Sequence, residues 1–388
     1  MESKTNRLLA LEGLRGLAAI SVVFFHFLVL FYPVLYFSLG TQHSKFETML
    51  FGTPLNAFIS GTFAVSIFFV LSGFVLTIGF FQSKKAAIIE RLAVKRYLRL
   101  MIPALASVIL AFLYISLGLS HTSEVFAITQ SPGSIPLWGV DVNIFQALYE
   151  GTIGVFVEGP AHNFNSVLWT MKYEFIGSFI IFIFALLFGR SKMRWIVYLA
   201  LILALYNTWF FGFILGTLLA DMYVHRQAWL PKKKLYLYPM LIVGIVLGAF
   251  PVATTTGTWY EAIKLPWLEF AQNLSMYTAL GALLTIIAVL NIVPISKFLS
   301  SKPLVTAGKY TYSLYLVHQP IIFTLGTGLF LVFIQHFGYN KSFAAAFVLT
   351  IPVIVVMTFL FYRYAEVPSL KFAAFFEKKY SSSKNKYK

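Results

Sequence analysis

Apolar runs rich in Leu, Ile, Val and Phe recur from about residue 14 to about residue 364, with polar breaks between them. Crossing about 30 Å of hydrocarbon takes about twenty such residues. On that measure the chain predicts ten spans, at 14–36, 59–81, 99–118, 166–189, 195–208, 209–224, 235–252, 273–293, 311–334 and 343–364. Only Asn207 and Thr208 divide the fifth from the sixth, and each is short for a crossing, so a re-entrant pair is an alternative there. The expected fold class is an all-α polytopic membrane protein of about ten transmembrane helices with both termini cytosolic. Residues 1–13 form a cytosolic N-terminal segment, 14–366 one transmembrane domain and 367–388 a basic cytosolic tail. From Lys378 that tail is polar, basic and low in complexity, and disorder is expected there. No internal repeat is visible, so the inverted halves of many transporters find no support.

Composition sharpens this picture. Hydrophobic residues make up 59% of the 388 and charged residues 11%, against about a quarter charged in soluble domains. A soluble globule is excluded. The formal charge of +16 is explained by where the basic residues fall rather than by nucleic acid. With the N-terminus inside, 26 of the 30 Lys and Arg sit in inner segments, while the outer loop 119–165 has none and carries Glu124, Asp141, Glu150 and Glu158. That is the positive-inside pattern. The first apolar run is too long and too rich in ionisable residues for a cleavable signal peptide. With no cysteine, disulfides, thiolate metal sites and a cysteine acyl-enzyme are all excluded.

Ionisable and hydroxyl groups inside spans are the candidate chemistry, because each is costly in lipid and faces a bundle interior as a rule. Arg15 and His26 are eleven residues apart, which brings them to within about 20° of one face and about 16 Å apart along the axis. One groove can hold both, with Arg15 at the cytosolic mouth and His26 near mid-membrane, a geometry that suits a coenzyme A thioester. The plainer reading is an anchoring arginine and a packing histidine. Ser72 and Gly73 lie mid-span, where small residues permit close helix approach and the serine can donate to a substrate. Arg96 and Arg99 share a face at the inner boundary and can clamp phosphate or anchor to anionic lipid. Glu174, about 12 Å below the outer surface by the count from 166, comes to the depth of His26, as a general-base pair requires. Lys172 at the rim is its alternative partner. The ninth span carries Tyr310, Tyr312, Ser313, Tyr315, His318, Gln319 and Pro320. His318 can contact substrate or satisfy carbonyls that the proline leaves free. A salt bridge to an arginine is the first expectation for Glu366, and a rim position for Asp221.

Taken in order, these segments resemble the acyltransferase-3 family of membrane acyltransferases over nearly the whole chain. Arg15 to His26 is similar to its arginine, ten residues, histidine signature, and Phe68 to Phe74 to its apolar Ser-Gly segment. Arg96 to Arg99 resembles its Arg-x-x-Arg pair and Trp169 to Glu174 its Trp-to-Glu block. Tyr312 to Pro320 and Glu366 to Pro368 resemble the family's last two segments. A departure is Phe175, where many members carry a second acid. The resemblance implies transfer of an acyl group, most often acetyl, from cytosolic acyl-CoA to a hydroxyl of a cell-envelope glycan or related lipid-linked acceptor, in a bacterial cytoplasmic membrane by family prevalence. It implies His26 and Glu174 as catalytic, Arg15, Arg96, Arg99 and Ser72 as donor-binding, and Tyr312, Ser313, His318 and Glu366 as substrate-contacting or structural. Membrane lipid is the other expected partner, and neither metal nor nucleic acid is expected. Ser72 and the tyrosines of the ninth span are expected to stabilise the oxyanion. The rival classes are a proton-coupled transporter or flippase relaying protons through His26, Glu174 and His318, and a non-catalytic export scaffold.

Overall fold

The computed structural model describes residues 4–134, 143–158, 164–231 and 233–386, and every regular element among them is helical. Asp141, Lys232 and Lys388 lie outside the described residues. Ten helices carry the apolar runs: α1 (Lys4–Phe31), α2 (Gly61–Ser83), α3 (Ala86–Ser116), α4 (Trp169–Leu187), α5 (Arg194–Leu205), α6 (Phe211–His225), α7 (Lys234–Gly248), α8 (Phe270–Asn291), α9 (Thr311–Ile334) and α10 (Tyr339–Phe361). The chain is an all-α polytopic membrane protein. Seven of these helices are long and apolar enough to cross a membrane, whereas α5, α6 and α7 have 12, 15 and 15 residues. The shortness expected of the fifth and sixth therefore extends to the seventh.

Prolines set several boundaries. α1 stops at Phe31 instead of 36 because Pro33 has no N–H to donate to the carbonyl of Val29. That carbonyl accepts instead from Ser131 Oγ at 2.5 Å. In α9 the same device recurs at mid-membrane: Pro320 leaves the Leu316 carbonyl without its helical donor. Asn165 Nδ2 at 2.9 Å and Ser107 Oγ at 3.1 Å supply two. α9 then passes through a π-turn, Ile322–Gly326, before resuming. His318 is thus not the group that satisfies the freed carbonyl.

Glycine decides how closely the wall helices approach. α2 and α6 form the most extensive helix pair. A Cβ on Gly216 would lie 1.9 Å from the Val70 carbonyl oxygen, and one on Gly73 would lie 2.2 Å from that of Phe213. Backbones this close are possible only without side chains between them. On the basic side, Gly16 of α1 abuts the short helix Lys302–Lys309, and Gly308 abuts the Glu12 carbonyl. That contact brings Glu12, Arg15 and Lys309 together on one rim.

Beyond α10, a π-turn at Tyr362–Glu366 leads into α11 (Val367–Lys386). The tail expected to be disordered is therefore helical through Lys386. It lies along α3, burying Ser369 and Ala373 and bringing Glu377 within 3.4 Å of Arg91. The apolar face that makes this contact sits N-terminal to the polar stretch, so composition of the last residues alone did not reveal it. Asp221, expected at a rim, is fully buried between Arg194 at 2.6 Å and His225 at 2.7 Å. On the opposite side, Glu47 is buried and accepts from the backbone N–H groups of His43 and Ser44, both at 2.8 Å, while burial pushes its carboxyl above the usual range.

Gly216→Ala should lower thermal stability in detergent by about 1–3 kcal/mol, the usual cost of overpacking. Gly338→Ala, where nothing lies within 4 Å of the added Cβ, should leave the unfolding midpoint nearly unchanged.

Candidate active site

Two arginines one helical turn apart on α3 stand in different states. Arg96 is buried and forms an ion pair with Glu174 of α4, and it also donates to the Glu174 main-chain oxygen at 3.2 Å. Ser72 of α2 donates to the same carboxylate at 2.7 Å, and Ser178 holds the Glu174 carbonyl at 2.5 Å. Three helices are thereby tied at one carboxylate. Arg99, in contrast, is exposed within the same cavity, and no acceptor among the described residues pairs with its guanidinium.

The cavity has a volume of about 320 Å³ and lies between α1, α2, α3, α4 and α9. Its rim on the basic side carries Glu12, Arg15, Lys309, Tyr362 and Leu370. Arg15 approaches Glu12 at 3.4 Å, and the Lys309 ammonium lies 5.2 Å from the ring centroids of Tyr310 and Tyr362. The far end is closed by Val65, Phe68, Thr170 and Tyr315. Val65 is about 6 Å along α2 from Gly61 by the helical rise. Because Gly61 packs against Phe25, the cavity ends about one helical turn short of His26. The imidazole itself is not part of the lining.

His26 is joined to His318. The Nε2 of His318, a fully buried residue, lies 3.1 Å from Nδ1 of His26, and the two rings meet edge-on with centroids 4.8 Å apart. Tyr315, one turn before His318, stands between this pair and the cavity, its ring centroid 6.0 Å from that of His318. The expected His26–Glu174 pair is not formed: Glu174 is held by Arg96 and Ser72, and its place beside His26 is taken by a residue from α9. Nor does Lys172 neutralise Glu174, since Arg96 does.

Other expected roles shift for the same reason, that hydrogens are already committed. Ser72 gives its proton to Glu174, Tyr312 gives its own to the Leu100 carbonyl at 2.8 Å, and Tyr315 to the Val167 carbonyl at 2.7 Å. None of the three is left to stabilise an oxyanion in this state. Glu366 has no arginine within salt-bridge distance among the described residues and accepts from Ser313 Oγ at 2.6 Å. Its π-turn setting is one that recurs at functional sites. Sequence reasoning missed Glu12, Lys309, Thr170 and Tyr362 as lining residues. Glu12, three residues before Arg15 on the same face, and Lys309, beside the tyrosine stripe, carried a visible signal.

Comparison with known proteins agrees with this architecture. The Acyl_transf_3 family, described as an acyltransferase domain, matches residues 8–363. The chain belongs to the acyltransferase-3 family. It is also similar to O-acetyltransferase PaAT-1 of Phomopsis amygdali, at 24% identity over 93% of this chain and 82% of that protein. No solved structure matches it significantly.

Removing one partner of a buried ion pair costs about 3–5 kcal/mol, whereas replacing both by apolar groups is often neutral. Arg96→Met should therefore lower the thermal midpoint sharply, and Arg96→Met with Glu174→Leu should recover most of the loss. Thermal unfolding of the purified variants checks this.

Proposed function

We propose that this acyltransferase moves an acyl group, most simply acetyl, from acyl-CoA on the basic, cytosolic side to a hydroxyl delivered from the opposite side. The observation that carries the reading is Arg99, an unpaired cation in a walled cavity. A guanidinium that faces a cavity and has no counter-ion among the described residues is free to form charge-assisted hydrogen bonds, so an anionic ligand is its natural partner. Arg15 and Lys309 add two further cations at the rim, a setting for the phosphates of a nucleotide thioester. At about 320 Å³ the cavity is at the small end of ligand pockets, which run from about 300 to 1,000 Å³. It has room for the acyl-pantetheine arm, and the nucleotide end stays at the rim. The thioester then lies about one turn short of His26, which it reaches once the edge-on ring pair Phe68–Tyr315 at the closed end of the cavity parts.

In this scheme His26 is the general base for the acceptor hydroxyl. Family membership supports acyl transfer, and the name of the Phomopsis protein supports an acetyl group and an oxygen acceptor. The acceptor class is a glycan or a lipid-linked hydroxyl compound, and the site of action is a bacterial cytoplasmic membrane with its lipid as the other partner.

Purified protein incubated with labelled acetyl-CoA tests the proposal. Arg99→Met should raise the KM for acetyl-CoA roughly 10- to 100-fold, as expected for one lost charge-assisted contact of about 1.5–3 kcal/mol, with a smaller change in kcat. Unchanged acetyl-CoA binding by that variant in calorimetry would remove Arg99 from the donor site. His26→Ala should abolish transfer while expression and membrane insertion persist; retained transfer would sink its role as base.

A further inference from the structure

The directions of the hydrogen bonds at the histidine pair follow from atoms that have no choice. A main-chain carbonyl only accepts, and a neutral imidazole has one N–H and one bare nitrogen. His318 Nδ1 lies 3.0 Å from the Leu314 carbonyl and His26 Nδ1 lies 2.9 Å from the Val22 carbonyl. Each Nδ1 is therefore the protonated nitrogen of its ring. His318 Nε2 is then bare, and it faces His26 Nδ1 at 3.1 Å, where it accepts. The one hydrogen on His26 is shared between the carbonyl below it on α1 and the lone pair from α9. What remains is Nε2 of His26, without a hydrogen, without a partner among the described residues and with accessible surface.

We propose that His318 is a positioning residue: by accepting the Nδ1 hydrogen of His26, it fixes the tautomer and ring orientation in which His26 Nε2 is the base. The inference rests on the acyl-transfer reading above. Val22 belongs to the same helix as His26, whereas His318 comes from α9, is fully buried and has its own ring fixed by Leu314. It is the external reference that holds the imidazole plane. In the step so arranged, the acceptor O–H bond breaks and its proton goes to His26 Nε2. The alkoxide oxygen bonds the acyl carbon, and the C–S bond of the thioester breaks. The departing thiolate takes that proton back from Nε2, so the products are the ester and free thiol. The Nδ1 hydrogen stays on His26 throughout, shared with His318.

Two measurements test this, both on the full chain. In solid-state NMR of the ¹⁵N-histidine-labelled protein at neutral pH, with His26→Gln used to assign the signal among the seven histidines, His26 should show a hydrogen on Nδ1 and none on Nε2. A hydrogen on His26 Nε2 would overturn the proposal. In kinetics, His318→Phe should lower kcat roughly 10- to 100-fold with KM for acetyl-CoA nearly unchanged, a portion of the 10²–10⁴ typical of a positioned general base. His318→Gln, whose amide oxygen takes the place of Nε2, should restore most of it. Equal losses in the two variants at equal thermal stability would also overturn it. Absence of turnover by the wild-type protein would overturn the acyl-transfer reading and the proton step with it, whereas turnover accompanied by a hydrogen on Nε2 would overturn the positioning role alone.

Discussion

The ion pair between Arg96 and Glu174, with Ser72 as its third member, is the interaction on which the rest of the structure depends. It lies where water is scarce, so neither charge is stable unless the other is present. The requirement is strict enough to fix α2, α3 and α4 relative to one another at a single carboxylate. Those three helices are walls of the cavity. The pair also sets the one-turn offset that puts Arg99 into that cavity with nothing to bind. One arginine of the motif is spent on architecture, and the other is left unpaired among the described residues.

The same rule, that polar groups in hydrocarbon must be satisfied inside the protein, shapes the far end of the site. Pro320 frees a carbonyl at mid-membrane, and Asn165 and Ser107 converge on it from α4's approach and from α3. This relieves His318 of any duty to the helix break and leaves its ring to face His26. Tyr312 and Tyr315 likewise donate to carbonyls of α3 and of the turn before α4. The polar stripe of α9 is therefore mostly mortar between helices. The histidine pair is its chemically open part.

Close approach is the second ingredient. Gly73 and Gly216 let α2 and α6 touch backbone to backbone, and Gly16 and Gly308 do the same for α1 and the helix ending at Lys309. Without these contacts Arg15 and Lys309 would not share a rim. The cavity thus brings Arg15, Arg99 and Lys309 together, with the His26–His318 pair beyond its lining.

Much of this was legible in the sequence, because the properties concerned are local. Apolar runs, loop charge and the absence of cysteine determined an all-α polytopic membrane fold. Ionisable residues within the runs marked Arg15, His26, Arg96, Arg99, Glu174 and His318 as the residues to examine. Tertiary structure alone decided how they pair. Periodicity along one helix says which residues share a face, but not which face of another helix meets it at the same depth, so His26 was matched with Glu174 on level alone when its partner comes from α9. Nor does sequence tell which of two arginines is neutralised, or which hydroxyl protons are already given to carbonyls. Those depend on distances of about 3 Å between helices far apart in the chain, and they are settled only when the bundle packs.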